Sequence, residues 1–167
     1  VTTFFLKQEI DTGDIIDQRR VPIGEDDNVG QVYDRLMRLG ADMVLDTVER
    51  IAAGTVCRIP QERLIAAGEA PTPAPKIFTD TCRIDWTRPA RALHNLVRGL
   101  SPVPAAWTTL AMDGAEPVKV KIYATRPQAA QWLAGTEQHH LPGTVMVFDK
   151  QMFVATGDGY LRVDELQ

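Results

Sequence analysis

The run Glu9-Ile10-Asp11-Thr12-Gly13-Asp14-Ile15-Ile16 decides how this chain is read. Ahead of it, Thr2 to Lys7 is rich in β-formers and weakly alternating, which predicts a strand. Behind it, Asp14 to Ile23 predicts a second, with Pro22 near its end. Between them the chain turns, and the turn carries Asp11 and closes on Gly13, a residue type that tolerates almost any backbone conformation. A carboxylate at the tip of a rigid strand–turn–strand unit is well placed for proton transfer. The plainer reading is that Asp11 only accepts backbone N–H bonds in its own turn.

Working outward, Glu25-Asp26-Asp27-Asn28 reads as a helix start. Asn28 can cap, with Gln31 three residues on as in a capping box, and the acidic first turn suits the helix dipole. Val29, Val32, Leu36, Leu39, Met43, Val44, Val48 and Ile51 then recur at helical spacing, and Gly54 is a good terminator. Residues 59–81 change character. Pro60, Pro71, Pro73 and Pro75 interrupt any regular element, which predicts a semi-extended linker. A short helix follows Arg83-Ile84-Asp85-Trp86-Thr87, with Thr87 as its cap, Pro89 in its first turn and Gly99 at its end. Its apolar face is Ala92, Leu93, Leu96 and Val97. The remainder predicts five strands: Ala106 to Met112, Pro117 to Ala124, Gly143 to Phe148, Met152 to Thr156, and Tyr160 to Leu166. Turn signals separate them at Asp113-Gly114, Asp149-Lys150 and Gly157-Asp158-Gly159, and residues 125–142 read as an exposed loop. Five short strands and a helix fit a small β-barrel of oligonucleotide-binding type.

A chain of 167 residues with 44% apolar content has the make-up of an ordinary globular protein. No apolar run approaches the roughly 18 residues of a membrane span, and no signal segment opens the chain. The first residue is Val1, already in a strand pattern, so the sequence is expected to be the back part of a longer protein. The formal net charge is −4, unevenly spread: residues 1–81 carry 9 basic and 14 acidic side chains, residues 82–167 carry 9 and 8. The less acidic part holds Arg83, Arg88, Arg91 and Arg98 close together. A phosphate-bearing partner would suit them, although a solvated helix face gives the same pattern.

Other constellations are weaker. Asp-Thr-Gly is also the core of aspartic protease sites, which use two such aspartates. Here there is one, because Ala155-Thr156-Gly157 lacks the carboxylate. Cys57 and Cys82 have no metal-ligand spacing and read as two reduced thiols. His139 and His140 read as solvated loop residues, and His94 as a partly exposed helix residue. No phosphate loop or dinucleotide fingerprint is present, and no metal is expected. Trp86 and Trp107 flank the short helix and read as its anchors on the barrel.

Taken in order, these segments resemble the methionyl-tRNA formyltransferase family. The matching runs are Phe5 to Asp14, the helix start Asp26-Asp27-Asn28, Arg83-Ile84-Asp85-Trp86, Leu96 to Thr108 with its Arg98-Gly99-Leu100-Ser101-Pro102-Val103-Pro104, and Ala155 to Gly159. The resemblance implies an α/β plus β chain: the end of a Rossmann-like formyltransferase domain at 1–58, a linker at 59–81, and an OB-like small barrel at 82–167. It implies transfer of a formyl group from 10-formyltetrahydrofolate to the amino group of methionyl initiator tRNA, in the cytoplasm, by a monomer when full length.

The family's catalytic groups are an Asn-x-His pair and the aspartate of the Asp-Thr-Gly turn. The resemblance assigns that last role to Asp11, and it places Glu9, Ile10, Thr12, Gly13 and Asp14 beside the pterin of the folate. The Asn-x-His pair would lie upstream of Val1, so the 167-residue chain by itself is expected to be inactive. An Asn and a His stabilise the oxyanion of the tetrahedral intermediate, and a nearby carboxylate orients the His and moves a proton. Arg83, Arg88, Arg91, Arg98, Lys119 and Lys121 are the candidate tRNA contacts. Three relatives share parts of this pattern. Glycinamide ribonucleotide formyltransferase lacks the barrel. The formyltetrahydrofolate hydrolase domain and the aminoarabinose formyltransferase have one, and both stay open. A stand-alone tRNA-binding module is the reading from another class.

Overall fold

The computed structural model describes residues 1–64, 72–129 and 140–167, and they divide into two compact units. The first comprises Val1–Glu25 and Gln31–Pro75; the second comprises Asp26–Gly30 and Lys76–Gln167. Part of the predicted linker (65–71) and most of the predicted exposed loop (130–139, His139 included) lie outside the described residues.

In the first unit, β1 (Thr2–Phe4) pairs antiparallel with β2 (Ile15–Gln18), in the register Thr2 to Gln18. Both strands are shorter than the sequence predicts. Helix α1 (Val29–Ala52) begins within the segment grouped with the second unit and continues into the first. Met43 is its one fully buried side chain, and Val32, Leu36 and Leu39 are half-buried. Val29, Val44, Val48 and Ile51, predicted to share that apolar face, are exposed, as are Tyr33 and Met37. A 3.6-residue period wraps a second apolar stripe around the same cylinder, so periodicity alone does not say which stripe is covered. Arg19 at the end of β2 bonds the carboxylates of Asp17 and Asp46. The bond to Asp46, foremost, and the neighbouring Asp17 raise its guanidinium further above its ordinary value.

The second unit is a five-stranded antiparallel sheet with one helix against it. The strands are β3 (Ala106–Leu110), β4 (Val118–Ala129), β5 (Val145–Phe148), β6 (Gln151–Ala155) and β7 (Gly159–Leu166), in spatial order β3-β4-β7-β6-β5. Among the described residues β3 and β5 are edges, so the sheet does not close into a barrel. Strand β4 also runs past the predicted end at Ala124. Beyond Ile122 it has β7 as its ladder partner and not β3, a setting that tolerates Pro127. Asp149 and Lys150 both have positive φ, the two-residue hairpin geometry whose twist matches the flanking strands.

Helix α2 (Ala90–Leu100) buries Ala90, Leu93, His94, Val97 and Leu100, one stripe at helical spacing. Leu93 and Val97 join Ile84, Ala106, Ile122, Val154, Leu161 and Val163 in the core, with Trp86 and Trp107 packed against it. Trp86 Nε1 donates to Thr108 Oγ1 at 3.0 Å and Trp107 Nε1 to the Thr79 carbonyl at 2.8 Å, so both rings are anchored at their polar ends. Two predicted details are corrected. Thr87 does not cap α2: its hydroxyl is held by Asp85, and the Ala90 N–H is met by Asp158 instead. His94 is buried, because positions 90, 93, 94, 97 and 100 all face the sheet.

Candidate active-site turn and nucleic-acid interface

The turn between β1 and β2 gathers all of Glu9 to Asp14. The pairing continues past β1, with the Phe5 N–H donating to the Asp14 carbonyl at 2.9 Å. This presses Gly13 against the opposite strand. A Cβ at Gly13 would lie 1.4 Å from the Phe5 carbonyl oxygen, so any larger residue forces the strands apart. Asp11 takes φ +60, a left-handed conformation that aspartate adopts more readily than most residues. Thr12 Oγ1 donates to the Glu9 carbonyl at 3.0 Å, and Lys7 Nζ pairs with Asp14 Oδ1 at 2.9 Å. The Asp14 carboxylate is thus committed to Lys7, while Glu9, Ile10 and Asp11 are exposed at the tip. This leaves two exposed carboxylates at the tip, those of Glu9 and Asp11.

The sequence missed one residue of this site. Gln61 lies in a 3₁₀ turn (Gln61–Arg63) after Pro60, and its side-chain nitrogen donates to the carbonyls of Asp11 at 2.7 Å and Gly13 at 2.8 Å. The segment is brought there by a reciprocal backbone pair between Ile15 and Ile59, at 2.8 and 2.9 Å. No local signal announces a contact between residues 50 positions apart.

In the second unit the structure brings together three of the six predicted cationic contacts. Lys119 Nζ lies 4.1 Å and Arg83 Cζ 5.5 Å from the Trp107 ring centroid. Lys121 and Lys119 also line a cavity of about 300 Å³ with Phe78 and Trp107. Lys76, whose sequence context gives no sign of a ring contact, sits 5.5 Å from the Phe78 ring. Cations over aromatic faces, on an exposed surface, can meet both phosphates and bases.

The other three stand on helix α2 or just before it. Arg88 precedes α2, and its carbonyl accepts from Gly157 N–H at 3.1 Å. Arg91 is exposed on α2. Arg98 is half-buried and turned inward: its Nε donates to Asn95 Oδ1 at 2.8 Å and its Nη1 to the Asp27 carbonyl at 3.0 Å.

Two neighbouring groups complete the electrostatics. Asp85 Oδ1 accepts from the Thr87 hydroxyl at 2.7 Å and from its N–H at 3.1 Å. Those bonds, with a smaller contribution from Arg88, hold the Asp85 carboxyl below its ordinary value. His140 is half-buried rather than solvated: its Nδ1 lies 3.2 Å from the Tyr160 hydroxyl, with the rings edge to face at 6.1 Å. Cys57 and Cys82 are free thiols. Among the described residues no cluster of His, Cys, Asp and Glu could hold a metal, and no helix is long and apolar enough to cross a membrane.

Residues 76–167 match the family described as formyl transferase, C-terminal domain. The whole chain is 46% identical over 169 residues to the methionyl-tRNA formyltransferase of Bacteroides fragilis, and 48% identical over 170 residues to that of Phocaeicola vulgatus. It spans 50% of the length of each, so about half of these curated relatives has no counterpart in it. Among solved structures, HypX from Aquifex aeolicus in complex with tetrahydrofolic acid matches 99% of this chain with a TM-score of 0.67 and 19% identity, over 26% of its own length. An N-formyltransferase from Helicobacter canadensis, in complex with folinic acid and dTDP-3-aminofucose, matches 99% of this chain and 55% of its own with a TM-score of 0.57 and 16% identity. At those identities the two structures speak for the fold.

Proposed function

The chain belongs to the formyl transferase C-terminal domain family, and from that premise we propose that it is part of a methionyl-tRNA formyltransferase. The observation that carries this reading is the relatives' identity of 46 and 48%, which extends over the entire chain, well beyond the matched domain. The whole protein would move the formyl group of 10-formyltetrahydrofolate onto the α-amino group of methionine esterified to initiator tRNA. It would do so as a soluble cytoplasmic monomer.

In this reading residues 1–58 close a Rossmann-like catalytic domain, 59–81 form the linker and 82–167 the tRNA-facing domain. The open five-stranded sheet is then a partly opened relative of the OB-type barrel. Glu9, Ile10, Thr12, Gly13 and Asp14 border the folate, and Asp11 handles the proton. The methionyl amine attacks as the free base, and a C–N bond forms to the formyl carbon. The tetrahedral adduct then breaks its bond to folate N10. One proton must leave the former amine and one must reach N10. A carboxylate exposed beside the reacting groups can accept the first directly or through water. Arg83, Lys119 and Lys121 around Trp107 supply phosphate and base contacts, with Arg88 and Arg91 as further charges on the same unit.

The test is formyl transfer to methionyl-tRNA by a protein carrying this chain at the relatives' full length. Asp11→Asn is expected to lower kcat/KM by about 10²-fold or more. Full activity of that variant, or formylation of a nucleotide amino sugar in place of methionyl-tRNA, would overturn the reading.

A further inference from the structure

We propose that Gln61 is a positioning residue for the Asp11 turn. The inference rests on the reading of Asp11 as the proton-handling carboxylate. A primary amide carries two N–H donors, and here its nitrogen reaches two carbonyls, those of Asp11 and Gly13. Those carbonyls flank Thr12, so one side chain holds both ends of the Asp11–Gly13 stretch, the backbone of Asp11 itself included. The turn needs such a fixture. Asp11 holds φ +60, which a non-glycine residue keeps only when its surroundings enforce it. The tip is also exposed from Leu6 through Asp11, so packing does not enforce it there.

Gln61 is itself held from behind. The two backbone bonds between Ile15 and Ile59 align the segment, and the Leu64 N–H donates back to the Gln61 carbonyl at 2.9 Å. The linker's first residues therefore act as a brace on the catalytic turn. The chemistry of the brace is specific. An amide nitrogen serves both oxygens, whereas a carboxylate at the same position would face two carbonyls with no proton to give.

The experiment uses the protein at the relatives' full length, with methionyl-tRNA and 10-formyltetrahydrofolate. Gln61→Ala is expected to lower kcat by about tenfold or more, with KM for methionyl-tRNA within about twofold of wild type. Gln61→Glu is expected to be as impaired above neutral pH and to recover, relative to wild type assayed at the same pH, as the pH falls and the introduced carboxyl gains a proton. A residue that merely supports folding would not give that second, acid-restored profile. Should Gln61→Ala fail to fold, the pH profile of Gln61→Glu decides. If Asp11→Asn is inactive while both Gln61 variants keep wild-type kcat and an unchanged pH profile, the brace is wrong and the functional reading stands. If Asp11→Asn is itself fully active, both fall.

Discussion

Asp158 Oδ1 accepts the Ala90 N–H at 2.7 Å, so the N-terminus of helix α2 is capped by a residue 68 positions away. The cap sits in the β6–β7 turn, where the Gly157 N–H also donates to the Arg88 carbonyl at 3.1 Å. One tight turn thereby ties the start of the helix to the sheet. Asp158→Ala should cost about 1–2 kcal/mol, and Asp158→Asn a smaller amount, measured by urea denaturation. Equal stability of the alanine variant would show that the cap is idle.

Gly157 and Gly13 are both pinned by backbone. A Cβ would come within 2.1 Å of the Thr87 carbonyl oxygen at Gly157 and within 1.4 Å of the Phe5 carbonyl oxygen at Gly13. Neither neighbour is a flexible side-chain end. Gly13→Ala should destabilise the first unit by more than about 3 kcal/mol. Gly54→Ala provides the control: nothing lies within 4 Å, and only its φ of +68 opposes the change, at about 1 kcal/mol. Thermal melts of the two variants should differ accordingly.

Arg98 and Lys119 should behave differently in RNA binding. Lys119→Ala and Lys121→Ala should each weaken tRNA binding and reduce the salt dependence of the affinity by about 1 on a log–log plot. Arg98→Ala should leave that slope unchanged and instead lower stability, because it removes the bonds to Asn95 and the Asp27 carbonyl. A titration series from low to moderate salt separates the two classes. An unaltered slope for both lysine variants would rule out the Trp107 surface as the contact.

Asp85 sets a small acid-side dependence of stability. Its folded-state value is lowered by the Thr87 bonds. Its contribution is therefore complete above the ordinary aspartate value of about 3.9 and is lost as pH falls through the lowered one. Asp85→Asn should be less stable than wild type at neutral pH, and the gap should shrink as pH falls below the ordinary aspartate range. Melting temperatures in the two pH ranges check it.

How much of this was legible in the sequence varies element by element. The β-strand propensities, the turn residues and the helical spacing of α2 placed every strand of the second unit, because each is a local property of a few neighbouring residues. Asp113-Gly114 and Asp149-Lys150 announced their turns for the same reason. The Asp11 turn was legible too, since Gly13 is what a close strand crossing demands. The extension of β4 was not, because Pro127 argues against a strand until its partner β7 is known.

What the sequence determined by itself, then, was the order of elements, the family likeness and the turn that carries Asp11. Tertiary structure alone decided which charges act together. Arg98 turns inward to Asp27, Lys119 and Arg83 meet over Trp107, and Asp158 replaces Thr87 as the cap. It also brought Gln61 to the Asp11 turn across 50 residues. These are pairings between distant segments, fixed by sheet register and helix packing, and their specificity comes from a few angstroms of placement that composition and spacing do not encode.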